Sequence, residues 1–123
     1  MSIAWHILLV DDNADQCFTL SYLLENKGFR IDCAANGREA LDYLHRAEPP
    51  GIILLDLRMP GMNGLQFLEQ QRREPALAGI PVVLLSGEVE LAEIAATFGT
   101  AGYLQKPVEF AGLLEVIRAI ASS

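Results

Sequence analysis

Short apolar runs that each end in a polar group organise this chain. Ile7-Leu8-Leu9-Val10 runs into Asp11 and Asp12, Ile52-Ile53-Leu54-Leu55 into Asp56, and Val82-Val83-Leu84-Leu85 into Ser86. A shorter stretch, Tyr103-Leu104-Gln105, runs into Lys106 and Pro107. The pattern predicts strands over 6–10, 30–34, 52–55, 82–85 and 102–105. The first, third and fourth are continuously apolar, as parallel strands buried on both faces are. Arg30-Ile31-Asp32-Cys33-Ala34 alternates instead, which suits an edge strand with one wetter face.

Helical segments fill the intervals, with legible starts and stops. Asn13 followed by Gln16 can cap the first, and Gly28 stops it. Asn36 with Glu39 three residues on has the spacing of a capping box, and Pro49-Pro50 closes that second segment. Asn63 with Gln66 opens a third. Leu91, Ile94, Ala95 and Phe98 form the apolar stripe of a fourth, followed by Gly99, and Phe110, Leu113, Leu114 and Ile117 that of a fifth. Five strands alternating with five helices give an α/β (βα)5 chain, with right-handed crossovers placing helices on both faces of a parallel sheet.

In such a sheet ligands bind beyond the carboxyl ends of the strands. Asp11, Asp12, Asp56, Ser86 and Lys106 all follow strand ends, so three carboxylates, a hydroxyl and an ammonium gather at one edge. Two carboxylates 4 Å apart repel by about 4 kcal/mol at an effective dielectric near 20. A divalent cation removes that cost, and Mg²⁺ favours oxygen ligands combined with phosphate oxygens. The edge therefore suits a metal-dependent phosphoryl site. One acid alone would read as a helix cap or turn residue.

Composition narrows the classes further. The 123 residues suffice for one domain, 51% of them apolar and 20% charged, with a net charge of −7. Such an acidic domain is a poor direct ligand for nucleic acid. No apolar run approaches the ~18 residues that span a bilayer, and Asp11 and Asp12 interrupt the only early run, so no signal segment is expected. Cys17 and Cys33 lack metal-ligand spacing and read as reduced core thiols of a cytoplasmic protein. His6 and His45 have no partner at ligand spacing and receive no role. Trp5 is expected to cover the core rim at the end opposite the acids. Gly61 and Gly64 read as turn residues after Pro60.

Asp11-Asp12, the stretch Asp56-Leu57-Arg58-Met59-Pro60-Gly61-Met62-Asn63-Gly64, Ser86-Gly87, Gly102-Tyr103 and Lys106-Pro107 together resemble the CheY-like receiver domain of response regulators. The likeness runs from His6 to about Ala121. It implies a flavodoxin-like doubly wound sheet of order 2-1-3-4-5, and one receiver domain over 1–123 with no output domain in this chain. It implies that Asp56 accepts a phosphoryl group from a histidine kinase or a histidine phosphotransfer protein. Asp12 and Asp56 would ligate Mg²⁺ (or Mn²⁺) directly, Asp11 through water, and Arg58 through its backbone carbonyl. Lys106, Ser86 and the Gly87 amide would hold the phosphoryl oxygens, with a cis peptide bond between Lys106 and Pro107.

The same likeness makes Ser86 and Tyr103 the two halves of a switch that alters the face formed by the fourth helix, fifth strand and fifth helix. That face would meet a downstream target protein or a second copy in a phosphorylation-dependent dimer. The segment from Ser86 to Lys106 is slightly short for the family, which bears on the fourth helix. Arg58 and Glu88 are expected to pair across the rim and slow water attack on the aspartyl phosphate. Such a protein would be no enzyme beyond handling its own phosphoryl group. Among the alternatives, a haloacid-dehalogenase-like phosphatase needs a second Asp where Arg58 stands. A flavodoxin would not place acids against an anionic cofactor. A degenerate receiver would lack one of the key residues.

Overall fold

The computed structural model describes residues 5–57, 63–87 and 91–122. Five parallel strands, β1 (His6–Val10), β2 (Arg30–Ala34), β3 (Ile52–Asp56), β4 (Val82–Ser86) and β5 (Gly102–Gln105), form one sheet in the order β2-β1-β3-β4-β5. The helices among the described residues are α1 (Ala14–Glu25), α2 (Gly37–Arg46), α3 (Gly64–Arg73), the short α4 (Pro75–Ala78), α5 (Leu91–Phe98) and α6 (Phe110–Ala121). The alternation of the sequence thus holds, with one added helical turn at Pro75. Proline at a helix start leaves no donor wasted there, which favours the new turn.

The continuously apolar strands lie in the middle, as their pattern requires. Successive side chains point to opposite faces, so each strand feeds two cores. Leu8, Val10, Ile53, Leu55, Val82 and Leu84 pack with α2, α3, α4 and α5, notably Leu44, Phe67, Leu77 and Leu91. Ile7, Leu9, Ile52, Leu54, Val83 and Leu85 pack with Leu20 and Leu24 of α1 and Leu113 and Ile117 of α6. The alternating strand β2 is an edge, and β5 is the other.

The helix starts follow their sequence signals. Asn13 Oδ1 accepts from the Gln16 amide at 3.0 Å, and Asn63 and Gln66 form a reciprocal capping box. Asn36 caps α2 through the Glu39 amide at 2.9 Å, whereas Glu39 reaches back to the Ala35 amide at 3.1 Å instead of completing the box on Asn36. Gly28, with φ of +92°, supplies the left-handed step that leaves α1 for β2.

Three sequence readings change. Cys33 is exposed and so is no core thiol, whereas Cys17 is half-buried and packs against the second core. The reason is the edge position of β2, whose outer side has no covering strand. His6 has partners after all: its Nε2 lies 2.9 Å from Asp32 Oδ2 and 2.7 Å from the Tyr43 hydroxyl, which donates to Asp32 at 2.6 Å. The Tyr43 hydrogen bond holds the Asp32 carboxyl below its ordinary pKa, and burial lifts the Tyr43 phenol to about 12. His45 pairs with Glu74 at 2.7 Å. Trp5 sits as expected, half-buried against the second core, edge-on to Phe29 at 6.3 Å.

Gln71 is fully buried on α3 and donates from Nε2 to the carbonyls of Leu77 at 2.7 Å and Ile80 at 3.3 Å. It reinforces the segment between α3 and β4, where the Ile80 amide also donates to the Leu77 carbonyl at 3.1 Å. Gln71→Leu should lower unfolding stability by about 1 kcal/mol, chiefly the lost bond to the Ile80 carbonyl, since the Leu77 carbonyl keeps the bond from the Ile80 amide. Urea denaturation checks this; an unchanged midpoint would mean the carbonyls are satisfied in another way.

Candidate functional site

Strand register delivers the site. Val10 pairs with Leu55 and Asp56 with Leu85, so Asp11 and Asp56 emerge side by side where the sheet's connections diverge between β1 and β3. Ser86 pairs with Gln105, and the Lys106 amide donates to the Ser86 carbonyl at 2.8 Å, which brings the lysine to the same edge. The Asp11 amide in turn donates to the Ala34 carbonyl at 3.0 Å. Backbone ladders, not loops, hold these groups in place.

Asp11 and Asp56 are 2% and 4% exposed, and Ser86 only 1%, whereas Asp12 faces solvent. Oxygens of Asp11, Asp12 and Asp56 lie within 4.8 Å of one another. Lys106 Nζ donates to Asp56 Oδ2 at 3.1 Å and stands 3.9 Å from Asp11 Oδ2. Asp11 Oδ1 accepts from the Asn13 amide at 2.9 Å, but its buried Oδ2 receives no hydrogen bond. Burial raises the Asp11 pKa; the Asn13 amide opposes this, the Asp56 charge adds to it, and Lys106 again opposes it. One ammonium is too little for three carboxylates, and an orphaned buried oxygen faces the shared space. An all-oxygen donor set of this charge fits a hard divalent cation. Asp11, Asp12 and Asp56 would hold it.

Of the remaining expected residues, Tyr103 is 47% exposed. The Lys106–Pro107 peptide bond is cis. A side-chain carbon added at Gly87 would meet none of the described residues within 4 Å. Arg58 and Glu88 lie outside the described residues, and with them the Arg58 carbonyl and the rim pair.

A family comparison decides what this edge belongs to. The model of the response regulator receiver domain matches residues 7–118. This chain belongs to the response regulator receiver domain family. Protein PilH of Pseudomonas aeruginosa is 33% identical over 116 residues, spanning 93% of this chain and 95% of PilH. The CpxR homolog of Haemophilus influenzae, a transcriptional regulatory protein, is 35% identical over 116 residues, and the match covers 93% of this chain but only 49% of that protein. The chemotaxis response regulator CheY4 of Vibrio cholerae has a solved structure that matches with a TM-score of 0.87 at 28% identity, covering 96% of this chain and 99% of CheY4. Receiver domains are signalling modules of two-component systems that bind Mg²⁺ at an acidic pocket and work with histidine kinases and downstream effectors. Nothing in these likenesses favours a haloacid-dehalogenase-like phosphatase. No helix among the described residues is long and apolar enough to cross a membrane.

One residue of the family stretch has a packing role that the motif does not disclose. Gly64 opens α3 against the turn that follows Asp56, its amide donating to the Leu57 carbonyl at 3.2 Å. A β-carbon there would stand 2.6 Å from Leu57 Cα and 2.9 Å from the Asp56 carbonyl oxygen. Close approach to the backbone of Asp56 and Leu57 requires glycine here. The available signal was its position directly after the capping Asn63. Gly64→Ala should cost about 1–3 kcal/mol of stability, as overpacking does. Thermal unfolding measures it; an unshifted transition would show that the backbone after Asp56 yields.

Proposed function

We propose that Asp56 is the phosphoacceptor of this receiver domain, charged by a histidine kinase or a histidine phosphotransfer protein in the cytoplasm. The observation that carries the reading is the 3.1 Å contact of Lys106 Nζ with Asp56 Oδ2, inside a cluster of three carboxylates. An Asp56 oxygen attacks the incoming phosphorus, and the phosphohistidine nitrogen leaves. Bound Mg²⁺ (or Mn²⁺) would neutralise the carboxylates and screen the phosphoryl oxygens.

The chain's own groups supply the remainder. Phosphoryl transfer spreads charge over the equatorial oxygens, so positioning and electrostatics dominate. The Lys106 ammonium, already aimed at Asp56, moves its contact to a phosphoryl oxygen. Ser86 donates its hydroxyl to another, beside the Gly87 amide. The Arg58 carbonyl would be a further ligand of the metal. Autodephosphorylation is the reverse demand, water reaching the same phosphorus.

Tyr103 is the reporter and the lever. Its exposed ring in the unmodified protein supports a switch in which movement of Ser86 opens space for the ring to turn inward. The face of α5, β5 and α6 would then change its fit to a downstream target or to a second copy.

Incubation with acetyl phosphate and Mg²⁺ should add one phosphoryl group at Asp56, with none added to Asp56→Asn or after metal removal. NMR should show the Tyr103 ring environment changing with the modification. Metal-independent uptake, or steady phosphate release from unrelated phosphoesters, would overturn the assignment. Arg58 and Glu88, each two residues past a site residue, would shield the aspartyl phosphate from water. Replacing both with alanine should speed dephosphorylation by up to about fivefold, the factor that ~1 kcal/mol represents. An unchanged decay rate excludes the shield.

A further inference from the structure

The two cysteines lie together beside the acidic cluster. Cys17 is on α1 and Cys33 on the neighbouring strand β2, and both face one shared cleft. Ser21, one turn after Cys17, places its hydroxyl 3.4 Å from the Cys33 sulfur. The Cys17 thiol also reaches the backbone carbonyl of Asp11 at 3.7 Å. Both sulfurs line a cleft of about 240 Å³ whose other walls include Asp11, Asp12 and Glu39. Cys33 is exposed, so a small reagent reaches it from solvent, while Cys17 stands behind it half-buried.

We propose that Cys17 and Cys33 are a redox-sensitive thiol pair that a hydroperoxide converts into an intramolecular disulfide, tying α1 to β2 beside the acidic site. Ser21, on the same helix as Cys17, already touches the Cys33 sulfur, so the two cysteines of this cleft stand on packed neighbouring elements, as a bridge requires. Cys33 is the exposed sulfur and has the Ser21 hydroxyl 3.4 Å away to stabilise its thiolate, so it is the one that meets the peroxide. That thiolate attacks the terminal peroxide oxygen, the O–O bond breaks, and an alcohol or water leaves, giving Cys33 sulfenic acid. The Cys17 sulfur then attacks the sulfenic sulfur. The S–O bond breaks, and the hydroxyl leaves as water with the Cys17 proton. Two thiols have given up two electrons, and the peroxide has accepted them. In a reducing compartment such a bridge is transient, a signal rather than a brace.

The bridge draws the Cys17 sulfur off the Asp11 carbonyl and fixes α1 against β2. Asp11 is the buried member of the acidic cluster, so the oxidised protein should accept phosphoryl groups more slowly. This coupling, unlike the bridge itself, rests on the reading of Asp56 as phosphoacceptor.

Treatment of the reduced chain with hydrogen peroxide, followed by peptide mapping, should find a Cys17–Cys33 linked peptide pair in the monomer. Dithiothreitol should reverse it, and Cys17→Ser and Cys33→Ser should each abolish it. Dimers joined through Cys33, or Cys33 sulfinic acid accumulating while Cys17 stays reduced, would overturn the proposal. The bridged protein should then take up the phosphoryl group from acetyl phosphate several-fold more slowly than the reduced one, with peroxide leaving the rate of Cys33→Ser unchanged. Equal rates in the bridged and reduced proteins would overturn the coupling. Absence of uptake even in the reduced protein would be a failure of Asp56 as acceptor, with the peptide map still deciding the bridge.

Discussion

Crowding of negative charge at the carboxyl edge of the sheet is the constraint on which this structure turns. Asp11, Asp12 and Asp56 converge to within 4.8 Å, and two of them are almost wholly buried. A single ammonium, Lys106, reaches into the group. Carboxylates left to themselves would separate or take up protons. They cannot separate, because parallel ladders on both sides fix the strands that carry them. The result is a pocket with an electrostatic debt, whose all-oxygen donors fit a hard cation.

Rigidity and response are divided across the fold. The three central strands contribute completely buried side chains to both cores, and this holds the acids in place. Smaller devices complete the frame: Gly64 lets α3 close on the turn after Asp56, and Gln71 reinforces the segment between α3 and β4. On the β5 side, the exposed Tyr103 ring has freedom that no central residue has. On the proposed reading, a change of contact at Lys106 or Ser86 is transmitted outward through this ring without loosening the site.

The opposite edge has its own chemistry. β2 carries the Asp32 carboxylate on one face, bound to His6 and Tyr43, and the Cys33 sulfur on the other, against Ser21 and in one cleft with Cys17. Both groupings exist because an edge strand tolerates polar side chains that a central strand would have to bury unpaired. The thiol grouping adjoins the acidic site through Asp11, and it gives the sheet a second reactive corner.

Much of this was legible in the residues alone. Apolar runs ending in Asp, Ser and Lys named the strands and the site, because burial on two faces demands unbroken hydrophobicity and the first polar residue marks where the sheet meets water. Asn13, Asn36 and Asn63 named three helix starts, because a side-chain oxygen satisfies the free amides there. Contacts between segments distant in the chain were not legible. Nothing in the local pattern places His6 beside Asp32 and Tyr43, turns Cys33 outward, or presses Gly64 onto Leu57. Those contacts follow from which strand lies at an edge and how closely one backbone approaches another. Periodicity records how a residue relates to its own strand or helix, and only the packed sheet decides which residue of another segment it meets.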